Sequence, residues 1–282
     1  MKQERGDSTR AVFENDPPRA SSFIVTIYGD VVDPRGGVLW MGTLIECCAR
    51  HGISESLVRT AVWRLVSAGR LEGQRIGRKS YYRLSNAGQT EFRRAARILF
   101  DPPAPARGWL LAPCNGSGPI PPGWVQLGDA FIAAPHHDDT TLPNGPVMEA
   151  QVVSGSRDMA GFAQRYWPLK EIAGSYRRFL TRFAPIRDEG RTGALTGAEA
   201  LALRLRLVDE YRHAALTDPR LPAEALPADW PANKARKVFR DIYLALSRAA
   251  DRHVGESFAD SEGNLAASTP ETDARLASLR IA

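Results

Sequence analysis

The chain has 282 residues, enough for two or three domains, and its 43% apolar and 24% charged residues are typical of a folded globular protein. No apolar run approaches the roughly 20 residues that span a bilayer, and the polar, proline-bearing start differs from a signal peptide. We therefore expect a cytoplasmic protein that has no membrane partner. The three cysteines have no CxxC spacing, which excludes a common type of zinc site.

Positive charge is concentrated in one segment of the sequence. Between Arg50 and Arg97, eleven Lys and Arg residues stand against three Glu residues, a local balance of +8 in a chain whose net charge is +5. The remainder therefore carries −3. Such a concentration is typical of a nucleic-acid-binding module, and the alternative is a solvated basic face.

Composition and periodicity predict the domain organisation. The prolines of residues 101–106 predict a linker, and the short apolar runs of residues 109–154, broken by Gly and Pro, predict strands. Beyond residue 157, apolar residues recur at three- and four-residue steps, which predicts helices. The predicted divisions are a disordered arm at 1–20, a DNA-binding domain at 21–100, a middle domain at 107–183, a helical domain at 184–254 and a disordered tail at 255–282.

The segment after the arm has the element order of a winged helix-turn-helix. Apolar stripes predict helices over Ser22–Val32 and Met41–His51, with a short strand at Val38–Trp40 between them. Ser54 is placed to cap a third helix, and Leu71–Arg75 and Tyr81–Leu84 then flank a basic hairpin tip at residues 76–80. Ser85 is placed to cap a fourth helix that ends near Phe100.

The third helix has two different faces. At 100° per residue, one side gathers Leu57, Val58, Ala61, Val62 and Leu65, and the other side is free to enter a DNA groove. Trp63 on the outer side has two equally weighted interpretations, DNA contact or packing on the hairpin or the first helix. The predicted DNA-contacting residues are Ser54, Ser56, Arg59, Thr60, Trp63, Arg64, Arg75, Arg78, Lys79, Ser80 and Tyr81.

These residues resemble a known family. Ile53–Gly69 followed by Gly77–Leu84 is similar to the PaaX family of phenylacetic-acid catabolism repressors, and three further segments look like the family's other signatures. Those segments are Trp167–Phe179, Leu207–Arg212 and Thr217–Pro231. The resemblance spans about residues 21–250, and its most specific part runs from Asp218-Pro-Arg-Leu-Pro to Asp229-Trp-Pro.

The resemblance implies an α+β protein with three domains. They are an N-terminal winged helix-turn-helix, a ferredoxin-like, Cas2-like middle domain and a helical C-terminal domain for dimerisation and effector binding. It also implies a bacterial, nucleoid-associated homodimer on a DNA operator, and phenylacetyl-CoA is the characterised inducer of the family. Here the Gly- and Pro-rich segment Asn115–Gly123 cannot form the helix that usually follows the first strand of the middle domain, which predicts an abridged fold.

The predicted effector site combines positive charge with aromatic rings. Lys170, Arg177 and Arg178 could bind the phosphates of phenylacetyl-CoA or a related acyl-CoA, and Trp167 or Tyr176 could cover an aromatic acyl group. We favour the alternative interpretation, in which these charged residues form a solvated basic face over a hydrophobic core. The resemblance adds Asp209, Tyr211 and Arg212, although Asp209 stands where the family often has His. The alternative hypothesis, a winged-helix DNA-binding protein without a small-molecule effector, therefore stays open.

Other groupings of polar side chains give weaker evidence for a functional site. His136-His-Asp-Asp139 groups metal-capable side chains, but consecutive residues point in different directions and favour a polar loop, so we expect no metal and no cofactor. No GxSxG, GxGxxG, P-loop or HExxH spacing occurs, and we expect no enzyme activity.

Overall fold

The structure, a computed structural model, describes residues 9, 12, 13, 17–114 and 119–281. Contacts divide these residues into two compact units. The first unit holds the described residues of Met1–Pro102, Arg178–His213 and Lys234–Ala282, and the second holds Pro103–Arg177 and Ala214–Asn233. Helices occur together with small antiparallel sheets, and the C-terminal region is helical, so the predicted α+β class is confirmed.

The N-terminal part of the first unit follows the predicted element order. Its helices and strands are α1 Ala20–Ile27, β1 Val38–Trp40, α2 Met41–Ala49, α3 Glu55–Ser67, β2 Leu71–Ile76, β3 Lys79–Leu84 and α4 Asn86–Phe100. After α1 the chain continues through a π-helical turn at Tyr28–Val32 and a 3-10 turn at Asp33–Arg35. The three strands form an antiparallel sheet in the order β1-β3-β2.

The apolar stripes account for the positions of the first two helices. The predicted stripe of α1 and the following turn, consisting of Phe23, Ile24, Ile27 and Val31, is fully buried. In α2, Leu44 and Cys48 are buried in the same unit. Because burial of such side chains is the main favourable term in folding, the 3.6-residue period fixes which face of each helix turns inward.

The second unit is built on a four-stranded antiparallel sheet. Its elements are β4 Trp109–Pro113, β5 Val125–Leu127, β6 Phe131–Pro135, β7 Met148–Ala150 and α5 Met159–Tyr166. The strand order is β5-β6-β4-β7. One face packs Trp109 and Ala133 with Ala163 of α5, and the other holds the alternate residues of the same strands. The ferredoxin-like topology stays a prediction.

The predicted abridgement falls on the loop between β4 and β5. Residues 115–118 lie outside the described residues, whereas 119–123 are described and contain no helix. Proline and glycine occupy four of these five positions, in agreement with their poor helix propensity.

Four helices follow in the C-terminal half: α6 Leu169–Glu189, α7 Gly197–Ala215, α8 Ala232–Ser257 and α9 Pro270–Ile281. The predicted boundary between residues 183 and 184 falls inside α6, which continues through it with Phe183 and Ile186 both buried. The helix therefore marks no local boundary there, and the three-domain division stays a prediction.

The predicted disordered tail is wrong for the described residues. α8 extends to Ser257 and α9 forms a further helix, with Leu265 and Leu279 buried. Arg275 of α9 donates hydrogen bonds to the backbone oxygens of Gly29 (3.2 Å) and Asp30 (3.1 Å). The low apolar content misled the prediction because Leu265 and Leu279 are buried, and polar side chains such as Thr269 and Arg275 add hydrogen bonds to the rest of the first unit.

The predicted disordered arm falls largely outside the described residues. Val12 is described and fully buried, and its carbonyl oxygen accepts a hydrogen bond from Arg182 Nη2 at 2.5 Å. The prediction is therefore wrong at Val12, because this apolar side chain has a buried site in the first unit.

Candidate nucleic-acid interface

α3 begins at a capped turn. Gly52 has a φ of +75°, a conformation that suits glycine, and the chain then enters the helix at Ser54. The Ser54 hydroxyl oxygen accepts a hydrogen bond from the Leu57 backbone N–H at 3.4 Å, as the sequence predicted for an N-cap. This cap fixes where the exposed face of α3 starts.

The two faces of α3 are separated as the sequence predicted, with one exception. Val58, Ala61, Val62 and Leu65 are buried. Leu57, predicted to be buried, is 55% exposed because it borders an open cleft beside Pro17 and Ser22 instead of the core. The opposite face is solvent-exposed and consists of Ser56, Arg59, Thr60, Trp63 and Ser67.

Trp63 is the largest apolar side chain on this exposed face. Its 68% exposure contradicts the alternative in which Trp63 packs on the hairpin or the first helix. An exposed tryptophan beside polar side chains is available to a partner, because its ring offers both apolar area and an N–H donor.

The polar side chains of the face already have intrahelical partners. Arg59 Nη2 lies 2.7 Å from Glu55 Oε1, and both side chains are more than half exposed. The Thr60 hydroxyl donates to the Ser56 carbonyl oxygen at 2.9 Å. Such an exposed ion pair contributes little stability, so the Arg59 guanidinium can exchange Glu55 for another acceptor at small cost.

The hairpin after α3 has a narrower tip than the sequence predicted. β2 and β3 pair from Leu71–Leu84 to Ile76–Lys79, which leaves only Gly77 and Arg78 in the turn. Gly77 has a φ of +59°, as required at the first central position of a type II′ turn. Lys79 belongs to β3, and its Nζ lies 4.7 Å from the centroid of the Trp40 ring.

Strand alternation decides which hairpin residues reach the surface. Arg75, Arg78 and Lys79 are exposed, whereas Ser80 is half-buried and Tyr81 is 8% exposed. Tyr81 was predicted as a DNA contact, but its side chain points inward opposite Trp40 in the register of β1 and β3. Tyr81 is therefore placed to support the hairpin.

Two basic residues of this surface were not among the predicted contacts. Arg83 Nη2 lies 3.0 Å from Glu72 Oε2 across the hairpin, and Arg70 Nη2 lies 3.3 Å from Glu91 Oε1. All four side chains are at least half exposed. The opposite charges at Glu72 and Arg83 face each other in the β2–β3 register, and this register could have been derived from a two-residue turn.

The eight predicted effector residues are divided between the two units. In the second unit, Trp167 is buried with its ring 5.5 Å from that of Trp109, and the hydroxyl of buried Tyr176 donates to Asp218 Oδ2 at 3.0 Å. Lys170 and Arg177 are exposed, and Arg177 Nη2 lies 2.6 Å from Asp229 Oδ2. Tyr176 and Asp218 belong to the family-like signatures, which here provide internal contacts.

The other four predicted effector residues lie in the first unit. The Thr26 hydroxyl donates to the buried Asp209 carboxylate at 2.7 Å, and Tyr211 stacks on Phe239 with ring centroids 4.2 Å apart. Arg212 Nη2 donates to the Ser22 hydroxyl at 2.6 Å. Arg178 is exposed on α6. Asp209 and Arg212 therefore connect α7 to α1.

The first unit also contains a set of buried and partly buried charges, which we call the buried ionic cluster: Asp30, Arg35, Arg204, Asp251 and Arg275. Arg204 Nε lies 2.9 Å from Asp30 Oδ2, and its Nη1 lies 2.7 Å from Asp251 Oδ1. Arg35 also contacts Asp251 at 2.7 Å, and Arg275 contacts Asp30 at 3.4 Å. Burial disfavours the charge of Arg204, but Asp30, Tyr243 and Asp251 outweigh it and raise its pKa.

The His136–Asp139 segment does not converge on one point. His136 contacts Glu149 at 3.1 Å, and Asp138 contacts Arg107 at 2.7 Å. His137 and Asp139 both contact Arg220 but at different atoms, its carbonyl oxygen and its guanidinium. Among the residues that the structure describes, no group of three or more His, Cys, Asp or Glu could hold a metal ion. None of the described helices combines the length and apolar character that a membrane span requires.

These features define a chain of mixed α and β structure whose first unit presents an exposed helix face and a basic hairpin. The family model described as "PaaX-like protein" matches residues 19–88, and the family model described as "PaaX-like protein C-terminal domain" matches residues 167–256. The chain is 32% identical over 277 residues to the transcriptional repressor PaaX of Escherichia coli (strain K12). The match covers 89% of this chain and 88% of the relative. The chain belongs to the PaaX family.

A solved structure is also similar to part of the chain. It is the uncharacterized protein Rv0674 from Mycobacterium tuberculosis, which has 24% sequence identity to this chain and a TM-score of 0.45. The match covers 75% of this chain and 89% of the other.

Proposed function

We propose that this protein is a transcriptional repressor that binds a palindromic DNA operator as a homodimer through a winged helix-turn-helix. The observation that carries the proposal is the exposed polar face of α3, which is followed directly by a hairpin with a basic tip. A helix of this kind fits the major groove, where arginine can contact guanine by two hydrogen bonds. The E. coli relative is named a transcriptional repressor, which favours a regulator over an enzyme.

Each element would have a separate task on DNA. Arg59 and Trp63 would contact base edges, and Ser56 and Thr60 would contact bases or phosphates. Arg75, Arg78 and Lys79 would contact phosphates or the minor groove beside the recognition helix. Phosphate contacts provide affinity without sequence preference, whereas base contacts provide specificity.

Footprinting of the DNA upstream of the protein's own gene tests this proposal, together with sedimentation of the free protein. A dimer with one recognition helix per chain should protect two half-sites related by a two-fold axis. Arg248→Ala, an exposed arginine of α8 outside the proposed surface, serves as the control and should leave the footprint unchanged. A single unrepeated site, or a monomer at micromolar concentration, would contradict the proposal.

The proposed effector is an aromatic acyl-CoA such as phenylacetyl-CoA. The family resemblance supports it, as do the exposed positive charges of Lys170, Arg177 and Arg178 on α6. The ligand must bind the DNA-incompetent state more tightly than the DNA-bound state, because equal affinity for both would shift nothing. Arg177→Glu with Arg178→Glu should then keep operator affinity and lose the response to acyl-CoA.

The second candidate is a winged-helix DNA-binding protein without a small-molecule effector. The observation that favours it is that Asp209, Tyr211 and Arg212 are engaged in contacts within the first unit. Titration of the preformed operator complex with phenylacetyl-CoA and other thioesters separates the two candidates. If no thioester releases DNA at millimolar concentration, the effector proposal fails and the second candidate stands.

A further inference from the structure

An open cleft lies in the first unit, between the start of α1 and the N-terminal half of α3. The apolar residues that line it include Pro17, Ile53, Leu57 and Ala61. Leu57 is the third residue of α3. The helical period placed it on the buried side, yet the residue is 55% exposed. Leu57 therefore offers apolar area to solvent at the beginning of the helix that is proposed to enter DNA.

The exposed apolar side chains of the first unit are concentrated on the proposed DNA-binding surface. Among the described residues of this unit, four of the five large apolar side chains that are exposed lie on α3 or at the end of β2. These four are Leu57, Trp63, Val66 and Ile76, and the fifth, Ile281, ends α9. Because single exposed apolar residues are ordinarily scattered over a surface, this concentration indicates contact with a partner.

The charge of the cleft favours a polyanion as that partner. Arg19 and Arg64 line the cleft and are exposed, and the other described residues that line it are uncharged. Thr60 belongs both to the cleft and to the exposed face of α3, so the two surfaces are continuous. An apolar wall with arginines beside it suits a DNA strand, which carries anionic phosphates and presents the methyl groups of its thymines in the major groove.

The position of Leu57 along α3 favours a contact with a base. The N-terminal residues of a recognition helix are the ones that contact base edges, and the side chains of a helix lean toward its N-terminus. Glu55 and Ser56, which precede Leu57 in the same turn, are polar. Leu57 is therefore the side chain of this turn that can make an apolar contact.

We propose that Leu57 is a specificity-determining residue whose side chain contacts the C5 methyl group of a thymine in each half-site of the operator. Arg19 and Arg64 would contact phosphates of the same strand. Apolar contact with this methyl group is one of the ways in which a protein distinguishes thymine from the other bases. The inference rests on the proposed function, because it requires α3 to enter the major groove.

The first measurement replaces thymine by deoxyuridine in the operator, which removes the C5 methyl group and keeps the base pairing. Each thymine is replaced together with its symmetry mate, and the affinity of the full chain is measured by fluorescence anisotropy. Burial of one methyl group corresponds to about a fourfold change in affinity (~0.8 kcal/mol). Because the two-fold axis repeats the contact, the wild type should bind one such doubly replaced operator about fifteenfold more weakly.

The second measurement identifies the residue that contacts the methyl group. Leu57→Ala should bind the original and the doubly replaced operator with affinities within about twofold of each other, because the contacting side chain is gone. Val66→Ala is the matched control, since Val66 is also an exposed apolar residue of α3 but does not line the cleft, and it should keep the wild-type ratio. The Tm of Leu57→Ala should stay close to that of the wild type, because the residue is mostly exposed.

The outcomes separate this inference from the proposed function. If the wild type protects no operator, the proposed function fails and the inference fails with it. If the wild type binds the operator and no thymine replacement weakens binding, the inference alone is overturned. It is also overturned if Leu57→Ala keeps the wild-type ratio, because another residue then contacts the methyl group. An unchanged ratio together with a weaker dimer in sedimentation of Leu57→Ala would assign the cleft to a second copy of the chain.

Discussion

The first unit contains two sets of arginine–carboxylate pairs in opposite environments. On α3 and the hairpin, Arg59–Glu55 and Arg83–Glu72 are at least half exposed. In the buried ionic cluster, the Arg204 and Asp30 side chains are 1% and 0% exposed. The contact distances are similar, between 2.7 and 3.0 Å, so the difference lies in the solvent and not in the geometry.

This difference separates exchangeable pairs from fixed ones. An exposed pair contributes about 0–1 kcal/mol, because water and salt screen it and either partner can be replaced. A buried pair cannot lose one partner without leaving an unsolvated charge behind. The exposed arginines are therefore available to DNA phosphates or bases under the proposed function, whereas the buried ones hold the turns after α1 against α7, α8 and α9.

The largest expected effect comes from breaking the buried pair. Asp30→Asn leaves Arg204 and Arg275 without one of their carboxylates and should lower the free energy of unfolding by about 3–5 kcal/mol. Chemical denaturation measures the change, and Glu72→Gln on the hairpin is the matched surface control, expected within about 0.5 kcal/mol. A loss below 1 kcal/mol in Asp30→Asn would contradict the distinction between the two sets.

Arg59→Ala tests the exposed arginine–carboxylate pairs through their proposed role in DNA binding. Operator affinity should fall by about 1–3 kcal/mol and discrimination at one base pair should relax, while the free energy of unfolding stays nearly constant. Lys79→Ala should instead weaken all sequences alike and reduce the slope of affinity against salt by about one. Affinities for a set of operator variants at several salt concentrations separate the two. An unchanged sequence preference in Arg59→Ala would show that α3 is oriented differently.

His51 extends the comparison to a buried group without any ion-pair partner. Its pKa is about 3 in the folded protein and near 6.5 in the unfolded chain, so only the unfolded chain takes up a proton between these values. Stability is therefore lost as the pH falls below 6.5, and the loss levels off below pH 3. Relative to His51→Phe, the wild type should lose roughly 1–2 kcal/mol between pH 6.5 and 5. Parallel pH profiles of the two proteins would contradict this.

The smallest effect is expected from Glu55→Gln. The carboxylate competes for Arg59 and repels phosphate, so its removal should raise DNA affinity by a small factor. It also favours the positive N-terminus of α3, and stability should fall by about 0.3–1 kcal/mol. Fluorescence anisotropy with DNA and a parallel unfolding curve measure both changes. A fall in affinity would indicate that Glu55 positions Arg59 for base contact.

Local signals allowed the exposed face of α3 and the hairpin, the proposed DNA-binding surface, to be predicted from the sequence. The Ser54 cap, the 3.6-residue period of α3 and the Gly77 turn each act over a few residues, and all three are present in the structure. Leu57 and Tyr81 were misplaced because their exposure depends on neighbours far along the chain. Leu57 borders Pro17 and Ser22, and Tyr81 lies opposite Trp40.

Long-range contacts were beyond the reach of the sequence. Asp30 and Arg204 are separated by most of the chain, and charged residues in a helical pattern are ordinarily expected at the surface. Asp209 was assigned to an effector site by resemblance, yet its side chain accepts a hydrogen bond from Thr26, 183 residues away. No periodicity or cap predicts a contact of that separation.

The Arg275–Asp30 contact can form only late in synthesis of the chain, because its two residues are far apart in the sequence. The two residues are 245 positions apart, which a ribosome at about 5–20 residues per second covers in roughly 10–50 s. Over that interval the Asp30 carboxylate has emerged but the last of its arginine partners has not. The turn that carries Asp30 therefore gains its last ionic contact only when translation is nearly finished, and a nascent chain cut short before α9 lacks this contact.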